Sequence, residues 1–200
     1  MIICCIGDSL TEGDYGIPGV SGVANVHAEN YPYFLARATG AEVRNFGKCG
    51  WRSSHMLKWA KEGGLNLTGA DLILLLLGAN GGQKALGDSE ENTAYAELVE
   101  FCRKEAPQAR LVLMTPPNVT TNPKYSNFGY GGQVAEAVGF VRRFAAAQGL
   151  EVINLAANSR FTPNTEDDLQ SNDGVHFNEK GYRAMAEEVL KSLRELGVSL

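Results

Sequence analysis

The sequence predicts an α/β fold, a parallel five-stranded sheet covered by helices on both faces. Two observations carry that expectation. Short runs rich in Val, Ile and Leu alternate with stretches of helical period. Three of those runs are apolar almost without interruption, as strands buried on both faces require. Size adds a bound: 200 residues, 44% of them hydrophobic, are enough to bury one sizeable core. The sequence contains no repeat, low-complexity tract or linker, so residues 1–200 are expected to form a single domain.

Taken in order, the strands are expected at residues 2–6, 42–45, 72–77, 110–114 and 151–154, the first, third and fourth being the continuous apolar runs. Cys4 and Cys5 are adjacent in a strand, so their side chains point to opposite faces and read as small buried hydrophobes. Tyr95, Leu98, Val99 and Cys102 repeat at i, i+3, i+4 and i+7, and Tyr182, Met185, Val189, Leu193 and Leu196 hold one stripe of a final helix. Strands and helices alternating at this spacing imply right-handed crossovers and a parallel sheet. In open sheets of that kind, ligands bind outside the carboxyl ends of the strands. The loops that leave those ends begin at Gly7, Gly47, Gly78, Thr115 and Ala156.

Composition narrows the function classes. The formal net charge is −5 with no basic stripe, which argues against a nucleic-acid partner. The longest apolar run, residues 72–77, is far too short to span a bilayer. A strand pattern beginning at Ile2 leaves no charged and apolar leader, so a cytoplasmic location is expected. The four cysteines have neither metal-site nor disulfide-framework spacing. Asn66-Leu67-Thr68 and Asn118-Val119-Thr120 fit the glycosylation pattern, but without a secretion signal they read as ordinary loop residues.

The first loop reads Gly7-Asp8-Ser9-Leu10-Thr11-Glu12-Gly13. A small polar residue just past a buried strand, flanked by glycines, can be presented at a turn with little hindrance. Taken alone, such a serine is more often a helix cap. The last loop, Asn172-Asp173-Gly174-Val175-His176-Phe177-Asn178, changes that balance. A serine hydroxyl becomes a useful nucleophile when an imidazole takes its proton, and the imidazole needs an acid to fix its tautomer. Asp173, three residues before His176, can receive one ring N–H while the other nitrogen faces a serine. The chain has three histidines; neither His27, in a long loop, nor His55, near a helix start, has such a partner. Acyl transfer also needs donors for a developing oxyanion. Asn45-Phe46-Gly47-Lys48-Cys49-Gly50 offers the Gly50 backbone N–H, and Gly78-Ala79-Asn80-Gly81-Gly82 offers the Asn80 amide.

The order of these blocks resembles the four signature blocks of the SGNH hydrolases, the GDSL-type esterases and lipases. Gly-Asp-Ser-Leu, a glycine loop ending at Gly50, Gly78-Ala79-Asn80 and Asp173-Gly174-Val175-His176 run through nearly the whole chain in family order. The resemblance implies a flavodoxin-like three-layer α/β/α sandwich. It implies Ser9 as nucleophile, His176 as general base and Asp173 as its partner. The backbone N–H groups of Ser9 and Gly50 and the Asn80 side chain would form the oxyanion hole. Gly50 is preferred to Gly47 because the family's block ends there. Neither metal nor organic cofactor is implied. The chain departs from the family's Gly-x-Asn-Asp in one place, where Gly81 stands for the aspartate.

Two other classes match parts of the sequence. Asp8 at the end of the first strand fits the start of an Asp-x-Asp-x-Thr phosphatase motif, but Leu10 stands where the second aspartate would be. A non-catalytic flavodoxin-like binding module needs either a hydroxyl-rich phosphate loop or clustered acids with a lysine, and the sequence has neither. The expectation is therefore an ester hydrolase acting on a small acyl ester. A short acyl group, acetyl above all, carried on a carbohydrate is the leading substrate; lysophospholipids and thioesters are the alternatives within the same superfamily. Residues 14–30 and 116–132 should wall the pocket. Tyr125, Phe128 and Tyr130 would then either meet substrate or anchor the loop that carries them.

Overall fold

The computed structural model describes residues 1–158, 160 and 173–200. Five strands, β1 (Ile2–Gly7), β2 (Glu42–Gly47), β3 (Leu72–Leu76), β4 (Arg110–Met114) and β5 (Glu151–Ile153), form one sheet. Every pairing is parallel and the spatial order is β2-β1-β3-β4-β5. That is the flavodoxin-like doubly wound order, whose topological switch point lies between β1 and β3. The helices are α1 (Ser9–Glu12), α2 (Tyr31–Thr39), α3 (Ser53–Lys61), α4 (Glu90–Glu105), α5 (Gly131–Gln148) and α6 (Glu179–Glu195).

The pleat sorts the core into two layers. Ile3, Cys5, Leu72, Leu74 and Met114 face α2 and α6, packing on Phe34, Leu35, Met185, Val189 and Leu193. Cys4, Ile6, Ile73, Leu75 and Leu113 face α3, α4 and α5, packing on Met56, Tyr95, Leu98, Val99 and Val141. Cys4 and Cys5 thus lie on opposite sides of the sheet, each fully buried. Strand ends differ from the sequence reading by a residue or two. Gly7 and Gly47 pair with each other and prolong β1 and β2. Asn154 leaves the sheet, at φ −90° and ψ 80°, to open a short 3₁₀ turn over Leu155–Ala157. Among the described residues no helix is long and apolar enough to cross a membrane.

The glycines at the strand ends are what let the site form. A Cβ on Gly47 would lie 2.1 Å from the Glu12 backbone nitrogen, so only glycine allows the single-turn α1 to sit across the end of β2. That close approach holds Ser9 at the carboxyl edge of β1, beside the switch point.

Candidate active site

Ser9 is the first residue of α1. Asp8 caps the turn, its Oδ1 accepting from Leu10 N at 3.1 Å. The Ser9 side chain therefore has no capping duty, and its hydroxyl, 3% exposed as a residue, meets His176 instead. The Ser9 Oγ to His176 Nε2 distance is 2.7 Å. On the other side of the ring, His176 Nδ1 lies 2.5 Å from Asp173 Oδ2. With Nδ1–H donating to Asp173, Nε2 is left to accept from the serine hydroxyl.

The turn that carries the last two residues is tied locally. Asp173 Oδ1 accepts from Val175 N at 2.9 Å and His176 N at 3.0 Å, which fixes the carboxylate beneath the ring. The loop after β4 braces the same turn: Thr120 N donates to Gly174 O at 2.9 Å and Asn127 N to Asp173 O at 3.2 Å. Asn172, which opens this loop in the sequence, lies outside the described residues.

Electrostatics favour a proton on the imidazole. Burial alone would pull the His176 pKa down. The hydrogen bond and charge of Asp173, aided by the charges of Asp14 and Asp8, outweigh burial, and the net shift is upward. Asp173 moves the opposite way: burial pushes it up, but His176 and the Val175 and His176 amides bring it below the ordinary aspartate value. The two directions agree on a pair poised to become imidazolium and carboxylate.

The Asn80 loop closes the other side. Asn80 Nδ2 donates to Trp51 O at 2.9 Å, and its own carbonyl accepts from Arg52 Nε at 2.9 Å. Gln133 Nε2 donates to Ala79 O at 2.7 Å, and Ala79 N donates to Asp8 Oδ2 at 3.3 Å. Gly81 sits at φ 72°, and a Cβ there would come within 2.8 Å of the Gln133 amide oxygen. Where the family places an aspartate, this chain thus packs Gln133, and the loop is held by Arg52, Gln133 and Asp8. Burial raises Asp8 to about 6 against the amide hydrogen bonds that lower it.

Ser9, Gly50, Asn80, Asp173 and His176 all line one cleft of about 340 Å³. The other two histidines lie elsewhere. His27 stacks on Tyr15 with ring centroids 4.0 Å apart, and His55 Nδ1 accepts from Arg52 N at 3.2 Å. As expected of residues 14–30 and 116–132, Val20, Gly22, Val23, Ala24, Asn127 and Tyr130 wall the cleft. Of the three loop aromatics, Tyr130 reaches it, whereas Tyr125 packs against Gly174 and anchors the loop. Two lining residues had no role assigned from the sequence: Cys49, in the loop that ends at Gly50, and Asp14, the first residue of the expected wall, whose Oδ2 is 3.7 Å from His176 Nε2. The available signal was an acid in the first loop beyond Ser9. Among the described residues no group of three or more His, Cys, Asp or Glu side chains is arranged to hold a metal ion.

The chain matches the family model described as GDSL-like lipase/acylhydrolase over residues 5–184. Among solved structures it is similar to an aryl esterase from M. smegmatis, at 18% identity, with 98% of this chain and 99% of that chain covered and a TM-score of 0.76. A lipase/acylhydrolase from Enterococcus faecalis matches at 21% identity, with 98% and 96% covered and a TM-score of 0.71. A carbohydrate acetylesterase family member from Sinorhizobium meliloti matches at 21% identity, with 100% and 99% covered and a TM-score of 0.72. At these identities the likeness establishes the fold. No curated protein matches the chain.

Proposed function

The chain belongs to the GDSL-like lipase/acylhydrolase family and is a hydrolase acting on esters; from that premise we propose that it cleaves short acyl esters through an acyl-enzyme on Ser9. The observation that carries the reading is the unbroken relay from Ser9 Oγ through His176 to Asp173, at 2.7 and 2.5 Å. Ser9 Oγ attacks the ester carbonyl carbon as its proton passes to His176 Nε2. Asp173 stabilises the imidazolium without taking the proton. The carbonyl electrons move onto oxygen, where the N–H groups of Ser9 and Gly50 and the Asn80 amide receive the charge. As a first-turn amide of α1, the Ser9 N–H has no intrahelical acceptor and is available for this. Collapse expels the alcohol, which takes the proton from Nε2, and water then repeats the sequence on the acyl-serine.

An acetyl or similar short acyl group on a carbohydrate is the proposed substrate. A cleft of about 340 Å³ lies at the small end of ligand sites, which favours a short acyl chain. The carbohydrate acetylesterases among the structural neighbours support the same choice. Initial rates on p-nitrophenyl esters of increasing chain length, followed by acetylated sugars, test it. The reading requires kcat/KM to be greatest for acetate and to fall with each added pair of methylenes; a maximum at long chains would overturn it.

A further inference from the structure

We propose that Asp14 positions the water that hydrolyses the acyl-enzyme, an inference that rests on the Ser9–His176 reading above. Asp14 is 3% exposed and stands where the loop after α1 turns over the cleft. Its two oxygens have different surroundings. Oδ1 accepts from Gly16 N and Asn25 N, both at 2.9 Å, which stitches the loop together and fixes the carboxylate in rotation. The main chain is fixed as well, because Tyr182 Oη donates to Asp14 O at 2.7 Å. Oδ2 points into the cleft, 3.7 Å from the Cys49 thiol and 3.7 Å from His176 Nε2. Burial and the neighbouring acids hold that thiol protonated, so it is at most a weak donor.

Stitching the loop uses only Oδ1, and an asparagine oxygen would serve it equally. A buried carboxylate costs more to desolvate than an amide. The charge supports the proton on His176, and the second oxygen, facing the cleft, is placed for a further role. In the resting enzyme Nε2 is engaged by Ser9 Oγ at 2.7 Å. Once Ser9 carries the acyl group, it has no proton to give, and Nε2 must accept from the incoming water. Two acceptors 3.7 Å apart can be bridged by one water making two ordinary hydrogen bonds of roughly 2.8 Å. One proton of that water points at Nε2 and leaves in the attack. The other points at Asp14 Oδ2 and stays on oxygen, which sets the direction of the attacking lone pair.

Methanol separates this role from a structural one, because it has a single O–H proton, which Nε2 takes. Acyl-enzyme formed from p-nitrophenyl acetate in water–methanol mixtures partitions between acetate and methyl acetate. Losing a negative charge beside His176 slows acylation, hydrolysis and methanolysis through the same imidazole, so it cancels in the product ratio. Asp14→Asn keeps an acceptor for Gly16 and Asn25 and places an N–H donor where Oδ2 stood. We expect the methyl acetate to acetate ratio to rise about tenfold, within the roughly 10²-fold that misplacing a reactant by about 1 Å can cost. An unchanged ratio, with both products slowed alike, would overturn the proposal. Asp14→Ala is read in the same way, and the ratio is independent of how much of either variant folds. If the wild-type product ratio changed when phenyl acetate replaced p-nitrophenyl acetate, the two esters would share no acyl-enzyme and the nucleophile reading would fail instead, and the two failures are distinct.

Discussion

The two arms of the cleft are built by opposite strategies. The Ser9–His176–Asp173 arm consists of three side chains meeting end to end, two of them on a single turn and tied by that turn's own amides. The Gly50–Asn80 arm consists of loop backbone and one amide, held by side chains distant in sequence: Arg52 on the Asn80 carbonyl, Gln133 on the Ala79 carbonyl and Asp8 under the Ala79 N–H. The difference teaches where each arm is vulnerable. On the proposed mechanism, proton transfer depends on a few atoms that nothing replaces, so one substitution should end it. The proposed oxyanion stabilisation would be shared among several donors and braces, and its loss should come in steps.

Substitutions in the first arm should give the largest effects. Ser9→Ala and His176→Ala should each lower kcat by about 10⁶-fold, since members of such a relay fail as a unit. The melting temperature should stay close to wild type for Ser9→Ala, whose hydroxyl serves no cap. His27→Ala and His55→Ala should keep wild-type turnover, because their ring contacts lie outside the cleft. An active His176→Ala beside an inactive His55→Ala would break the comparison at its root.

Asp173→Asn should cost about 10⁴-fold in kcat, as an amide neither stabilises the imidazolium nor enforces the tautomer. The pH profile sharpens this. The proposed mechanism needs neutral His176, and its pKa is shifted upward, so activity should fall as pH drops through a midpoint above the unperturbed value of about 6.5. Removing the Asp173 charge should move the midpoint of the residual activity downward. A midpoint that stayed in place would mean that Asp173 does not set the charge on the ring.

Next in size comes the second arm. Asn80→Ala should lower kcat by roughly 10²–10³-fold and leave KM nearly unchanged, because an oxyanion donor works in the transition state. A raised KM at constant kcat would make Asn80 a ground-state binding group. The smallest effect is expected at Gly81. Restoring the family's aspartate by Gly81→Asp would force a side chain into φ 72° and onto Gln133, and should cost about 1–3 kcal/mol of stability by thermal denaturation. A stabilised variant would mean that Gln133 does not substitute for the missing acid.

The sequence made the two strategies unequally legible. Periodicity sufficed for the sheet, down to Cys4 and Cys5 on opposite faces, because alternation along a buried strand is local. Ser9, Asp173 and His176 stood out because their chemistry constrains one another: an acid at i−3 from a histidine is informative before any fold is known. Gly50 and Asn80 came from the order of the blocks. The braces Arg52 and Gln133 stayed hidden, since nothing near them in sequence announces a carbonyl across the cleft. Asp14 was legible as the start of the pocket wall, but its contact with His176 was hidden for the same reason. Its partners are two backbone amides and a histidine 162 positions away, brought together only when α6 packs beside β1 and Tyr182 reaches the Asp14 carbonyl.

The central claim is that one serine, activated by His176, takes the acyl group. Covalent labelling by a fluorophosphonate, followed by peptide mapping of the adduct, tests it most directly. The adduct should fall on Ser9 at a rate that rises with pH through the His176 midpoint, and it should vanish in Ser9→Ala. An adduct on another residue, or labelling of Ser9 at a rate that His176→Ala leaves untouched, would contradict the account.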